Sequence, residues 1–290
     1  MSTLAFSLIL FSALMHALWN LLVKRSRDKT IYIWWMFVIS ATLFTALLPF
    51  LPGPFPVPSS RILALAAGGG LCFVLYHIAN GQAYHRGDLS LVYPLSQTSM
   101  LYVPLWGALL LGEKISGLGL CGIALVVIGV WCVQLRRFSL DEALRPLRSL
   151  NEDAVRYALF AGLIYSVGAV IDKTGVMDYS PLYFTYLLVI FMLVFMSLNL
   201  LRPRYRDRIL AEWQYNPRLI LIAGPVMMGS FLAFRYGLQL APLSYAVPTR
   251  QVSILIGVLI GTLFLGETCG RIRLLAGCTI LAGVVLIRFS

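Results

Sequence analysis

LSLVYPLSQTSMLYVPLWGALLLGE fills residues 89–113, and 154 residues later the chain reads LSYAVPTRQVSILIGVLIGTLFLGE over 243–267. Laid together without gaps, the two stretches agree at 12 of 25 positions. Apolar runs share leucines by composition alone. They do not share Pro94/Pro248, Gln97/Gln251 and Gly112-Glu113/Gly266-Glu267 in register by that route. The chain is internally duplicated, and a repeat of this kind organises everything around it.

Working outward, 59% of the 290 residues are apolar and 12% are charged, about half the charge of a soluble domain. Runs of about 20 apolar residues recur along the chain, the length that crosses a hydrocarbon core as a helix. Ten spans are expected, near 3–23, 31–51, 62–83, 89–111, 116–135, 155–174, 181–201, 218–239, 243–265 and 271–288. The first lacks a basic leader and a small-residue cleavage site, so it is expected to remain as a span. The longest polar segments, 136–153 and 202–216, have room for short surface helices and no core of their own. The fold class is an all-α membrane protein, with a first repeat over 1–135, a basic linker over 136–154 and a second repeat over 155–290.

The duplication reaches beyond its best stretch. Gly122 and Gly129 fall opposite Ala276 and Gly283, and His16-x-x-Trp19-x-x-x-x-Lys24 falls opposite Tyr165-x-x-Gly168-x-x-x-x-Lys173. Five spans per half is odd, so the second half enters from the opposite side. That predicts an inverted repeat with a central cavity and a midplane site between the halves.

Basic residues set the orientation. The loops after spans 1, 3, 5, 7 and 9 hold 17 Lys and Arg, and the opposite face holds 4. The rule places the 17-charge face in the cytoplasm and both termini outside. The net charge of +11 then reflects an anionic inner leaflet and requires no nucleic acid.

The five cysteines show no metal or redox spacing. Phosphate-loop, dinucleotide and metal-binding His signatures are absent from the sequence, so neither a cofactor nor a metal is expected.

Two halves that each carry a Leu-Ser…Pro…Leu-Gly-Glu helix followed by a Gly-rich one resemble the drug/metabolite transporter superfamily, EamA branch. The residues that carry the likeness are Leu89, Ser90, Pro94, Leu111, Gly112 and Glu113, and Leu243, Ser244, Pro248, Leu265, Gly266 and Glu267. The resemblance implies a ten-helix secondary transporter of small metabolites, not an enzyme, with a cavity lined by spans 1, 3, 4, 6, 8 and 9. It also implies cytoplasmic termini, against the charge count. The opening HALWNLLVKRSRDK resembles a sub-branch associated with phosphonate use. Small multidrug resistance proteins, more distant relatives, carry an acidic residue in the first helix where this chain has His16, which disfavours a lipophilic-cation pump.

Ionisable side chains within a span face a cavity or a partner. Arg250 lies seven residues into the ninth span and Arg235 deep in the eighth, while Asp172, Glu113 and Glu267 fall near span ends. With no mid-span carboxylate in view, both arginines are candidates for holding an anion, since a guanidinium grips carboxylate, phosphate or phosphonate with two donors. His16, Trp19 and Asn20 share one helical face of span 1, and a mid-helix His is a candidate proton carrier. Tyr76, His77 and Asn80 form a like face in span 3. Tyr93 and Gln97 flank Pro94, Gln251 and Tyr236 neighbour the two arginines, and Tyr165 mirrors His16. Each has a packing role as its plain alternative. Pro94 and Pro248 are candidate hinges, and Glu113 and Glu267 are expected to cap helices or pair with loop charges.

The expected function is secondary transport of a small anionic or zwitterionic metabolite, such as an amino acid, organic acid or aminophosphonate, by alternating access. The expected setting is a bacterial inner membrane, with a proton as coupling ion and a monomeric or homodimeric chain. The alternative class is a non-transporting assembly protein or a membrane-embedded enzyme on a lipid-linked substrate. Paired mid-span carboxylates or a nucleophile–base pair would mark the enzyme, and the sequence presents neither.

Overall fold

The charge-poor runs fold as helices because lipid offers backbone groups no other partner. The computed structural model describes residues 1–290 except 88, 134, 136, 138 and 266–269, and leaves the side chains of 89–91, 94, 146, 147, 199, 204 and 261–265 outside the description. Glu267, Gly266 and Cys269 therefore lie outside the described residues, as do the ring of Pro94 and the side chains of Leu89 and Ser90.

Helix starts follow the short polar residues. Ser2, Asp28, Ser59 and Ser116 accept from the backbone N–H three residues on, at 3.2, 3.2, 3.2 and 3.0 Å, each cap contributing about 1 kcal/mol. They open α1 (Thr3–Lys24), α2 (Lys29–Leu47), α3 (Ser60–Arg86) and α6 (Gly117–Cys132). Between α3 and α6 the fourth span comes in two pieces, α4 (Leu89–Ser96) and α5 (Ser99–Leu111). Gly112, left-handed at φ 66°, ends α5, a conformation glycine adopts without strain.

The second half runs α8 (Asp153–Asp178), α9 (Pro181–Leu200), α11 (Pro217–Leu240), the divided pair α12 (Leu243–Arg250) and α13 (Val252–Leu265), and α14 (Arg271–Phe289). Two short helices, α7 (Leu140–Arg148) and α10 (Arg206–Tyr215), occupy the two long polar segments. The second is tied down by Glu212, which accepts from the Arg27 and Asp28 N–H groups at 3.3 and 2.6 Å.

Among the described residues, eight segments are long and apolar enough to span alone. The remaining two spans contain the shorter apolar helices Ser99–Leu111 and Gly117–Cys132. Exposed Leu105, Leu109 and Leu110 on α5, and Leu274 and Leu275 on α14, form the lipid-facing surface.

The contacts show the inversion directly. A Cβ on Gly122 would lie 2.7 Å from the Gly283 carbonyl oxygen, and one on Gly129 would lie 2.8 Å from that of Ala276. The partner number falls as the residue number rises, so α6 and α14 are antiparallel. The 154-residue offset carries the first pair onto the second with its members exchanged. Helix contacts obey the same exchange: α1 packs on α11 as α8 packs on α3, and α1 meets α13 as α8 meets α5. Ten spans thus form two five-helix inverted repeats, held by small residues that let backbones approach in lipid.

Candidate functional site

The site begins with a backbone defect repeated in both halves. Pro248 has no N–H for the Ser244 carbonyl. Just beyond it the ladder tightens: Gln251 N–H donates to the Pro248 carbonyl at 3.0 Å, and Ile254 N–H to that of Gln251 at 2.9 Å. Both are three-residue steps, and the helix axis breaks at Gln251. In the first half Thr98 N–H donates to the Leu95 carbonyl at 3.2 Å and Met100 N–H to that of Gln97 at 3.1 Å. The breaks fall on the repeat-related glutamines, three residues after each proline. Discontinuous helices at a repeat interface are where transporters of this architecture hold solute.

Arg250 is the last residue before the second break. Its Nη2 lies 3.1 Å from His16 Nδ1 on α1 and donates to Ser230 Oγ on α11 at 3.2 Å. Its guanidinium carbon sits 4.4 Å from the centre of the Phe234 ring, and Tyr165 on α8 faces it. A guanidinium only donates, so Nδ1 accepts and the neutral His16 ring carries its proton on Nε2. Ser12 and Ser230 support the cluster reciprocally, Ser12 Oγ donating to the Ser230 carbonyl at 2.8 Å and Ser230 Oγ to that of Ser12 at 3.1 Å. No described carboxylate pairs with Arg250. Its Nε is buried without a partner.

Arg235 differs. Its Nε donates to Asp172 Oδ1 at 2.8 Å, with the two side chains 3% and 2% exposed. The premise that no carboxylate lies mid-span is corrected here. Helix α8 runs on to Asp178 instead of ending near 174, because the Phe184 ring closes over Gly175 and Val176 is buried. Asp172 is thereby a turn and a half inside. This pair is neutralised, as buried charges must be, and Arg235 is not a free cation.

The other expected residues divide. Tyr76, His77 and Asn80 on α3 join the cluster: Tyr76 and Tyr165 have ring centres 5.2 Å apart, Tyr76 and His77 likewise 5.2 Å, and Asn80 Nδ2 donates to the Tyr76 hydroxyl at 3.3 Å. Trp19 stands edge-on to His16 at 4.8 Å. Tyr93 lies beside Tyr76 and Tyr84. Gln97 and Gln251 sit half-buried at the breaks. Asn20 and Tyr236 are elsewhere. Asn20 is exposed and donates to the His16 carbonyl of its own helix at 2.8 Å, and Tyr236 faces outward on α11. Most cluster members are half-buried although they sit among six helices of the bundle, so the space they border is an internal cleft.

Sequence reasoning passed over Ser12, Ser230, Phe234 and Tyr84. Ser230 and Phe234 are four apart on one face of α11, which was the signal available. Glu113 also acquires a definite role at the edge of the site. Its carboxylate accepts from the N–H groups of Leu243 and Ser244 at 2.5 and 2.9 Å and from Ser244 Oγ at 2.5 Å. It caps the broken helix of the opposite repeat.

The fold and the cleft define a membrane transporter built of two inverted five-helix repeats. The profile of the EamA-like transporter family matches residues 3–135 and 154–289, and the chain belongs to that family. A solved structure described only as a crystal structure of protein superposes with a TM-score of 0.71 over 98% of this chain and 96% of its own, at 14% identity, which speaks for the fold alone. No curated protein matches the chain.

Proposed function

We propose that this transporter moves a small anionic or zwitterionic metabolite through the cleft by alternating access, with Arg250 holding the anionic group. The observation that carries the reading is a guanidinium at a helix break whose hydrogen-bond partners His16 and Ser230 are neutral, the Asp172 carboxylate acting on it only through space. Such a charge is costly in a membrane interior and is satisfied when a carboxylate, phosphate or phosphonate takes its free donors. Asp172 gives its hydrogen bond to Arg235 and reaches Arg250 only through space, which leaves the donors of Arg250 to the solute.

The halves 1–135 and 155–290 rock about the breaks at Gln97 and Gln251, joined by the basic linker 136–154. His16 supplies the proton link. A protonated ring has no lone pair at Nδ1 for Arg250, so protonation releases the guanidinium and adds a second positive charge beside it. The test is counterflow in proteoliposomes loaded with amino acids, organic acids or aminophosphonates. Accumulation of one labelled anion or zwitterion supports the reading, and no flux from any of them contradicts it.

A further inference from the structure

The exchange that relates the two halves fails at one end of the cleft. Helix α11 packs on α8 and on α9, and α12 packs on α8. Exchanged between the halves, these contacts would be α3 on α1, α3 on α2 and α4 on α1. None of the three is a packed pair among the described residues. Individual residues follow the same division. Leu238 on α11 is fully buried, whereas Tyr84, its counterpart on α3 at the 154-residue offset, is 39% exposed. Arg235 is buried against Asp172, whereas a Cβ on its counterpart Gly81 would meet nothing within 4 Å. Spans 1 and 3 finish on the face that carries 17 basic residues, and spans 6 and 8 on the opposite face. The cleft is therefore parted toward the basic face and shut at the other.

The shut end is held by bonds between α8 and α11. Arg235 Nε donates to Asp172 Oδ1 at 2.8 Å. Gln239 Nε2 donates to the Val176 carbonyl at 2.8 Å, one turn further out. Lys173 Nζ donates to the carbonyls of Leu238 and Ala241 at 2.7 and 2.9 Å. The last carbonyls of a helix lack partners within it, and a cation suits that end of the dipole. Here the cation comes from the neighbouring helix, so the cap is also a tie. Lys24 occupies the equivalent position in α1, in the register that sets His16 against Tyr165. Helix α3 ends at Arg86 and α11 at Leu240, again 154 residues on. The carbonyls that correspond to those of Leu238 and Ala241 are thus those of Tyr84 and Gly87.

Resting on the alternating-access reading above, we propose that Lys173 and Lys24 are the alternating ties of one gate. In the state seen here Lys173 joins α8 to α11, and the cleft opens to the basic face. In the other state Lys173 releases α11, Lys24 joins α1 to the Tyr84 and Gly87 carbonyls of α3, and the opening passes to the opposite face. Val23 and Gly81 stand where the second half has Asp172 and Arg235. The exchanged closure therefore lacks the ion pair, and the state seen here is the one favoured at rest.

The experiment measures two distances between spin labels in the full-length protein in lipid nanodiscs, its native cysteines replaced by alanine. Arg25→Cys with Arg86→Cys reports α1 against α3 at the basic face. Met177→Cys with Leu240→Cys reports α8 against α11 at the opposite face, and all four positions are exposed. Lys173→Met is expected to lengthen the second distance and shorten the first. The two populations should shift by about tenfold, the value of one hydrogen bond to a charged group. Gln239→Leu, a milder break at the same end, is expected to move both distances in the same senses. Adding Lys24→Met to Lys173→Met is expected to reverse the shift. Distances that stay at wild-type values in both Lys173→Met and Gln239→Leu overturn the gate, and so do two distances that lengthen together. A shift that Lys24→Met leaves in place overturns the role of Lys24. Reciprocal distances in a protein that gives no counterflow of any labelled solute leave the gate standing and overturn the transport reading. Counterflow with unresponsive distances does the reverse.

Discussion

The carboxylate of Glu113, the last residue of the first repeated motif, accepts both the N–H and the hydroxyl of Ser244, the second residue of the other copy. A motif that looks like a local signature is in this way a contact between halves. Glu113 serves the free N–H groups at the start of α12, where a negative charge also suits the helix dipole. Glycine at 107 makes the room, since a Cβ there would lie 2.2 Å from Ser244 Oγ.

Glu113→Ala is therefore expected to destabilise the protein by about 1–3 kcal/mol, lowering its unfolding temperature in detergent. Gly107→Ala, which pushes a methyl into the same space, is expected to act in the same direction. Wild-type unfolding temperatures for both variants would remove Glu113 from this role.

The Asp172–Arg235 pair gives a second test. Removing one partner leaves a buried charge, so Asp172→Leu or Arg235→Met alone is expected to cost about 3–5 kcal/mol. Replacing both by apolar residues of similar volume, Asp172→Leu with Arg235→Met, is expected to recover most of the loss. Thermal unfolding of the two single variants and the double variant measures the coupling. Additive losses would mean the pair is not a unit.

Much of this architecture was legible, for reasons particular residues make plain. Pro94, Pro248 and the paired glutamines announced the duplication, and the odd span count announced its inversion. The pairing of Asp172 was not legible. The adjacent charges of Asp172 and Lys173 lower local hydropathy and make the span look finished, while the helix continues. Lys173 turns to the carbonyls of Leu238 and Ala241 at 2.7 and 2.9 Å, covering the C-terminal end of α11. The partners of Glu113 lie 130 and 131 residues away, and no local pattern specifies which helix start a carboxylate will reach. Asn20 shares the face of His16 by spacing, yet its amide turns back onto its own helix.

Acidification tests the role of His16. The groups facing its ring are Arg250 on α12 and His77 on α3. The Arg250 bond needs a neutral imidazole, so it is present at alkaline pH and lost as the ring takes a proton. Anion binding is expected to strengthen once acid protonates the ring, as the guanidinium is freed and a second cation forms beside it. His16→Gln, which keeps a hydrogen-bond acceptor and cannot titrate, is expected to flatten the profile. A profile unchanged in that variant would place the proton elsewhere.

Orientation is separable from all of this. With 17 basic residues on one face and 4 on the other, a reporter fused after Ser290 is expected to be active outside the cytoplasm. Cytoplasmic activity would show that some other determinant overrides the charge count.

Arg250 is the anchor on which solute binding depends. The most direct measurement is the counterflow rate of the solute in proteoliposomes of Arg250→Ala and Arg250→Lys, each monodisperse in detergent. Lysine keeps the charge without the planar fork, so its rate is expected to fall, and alanine is expected to lose nearly all flux. Wild-type counterflow through Arg250→Ala would contradict the assignment of this guanidinium as the anion anchor.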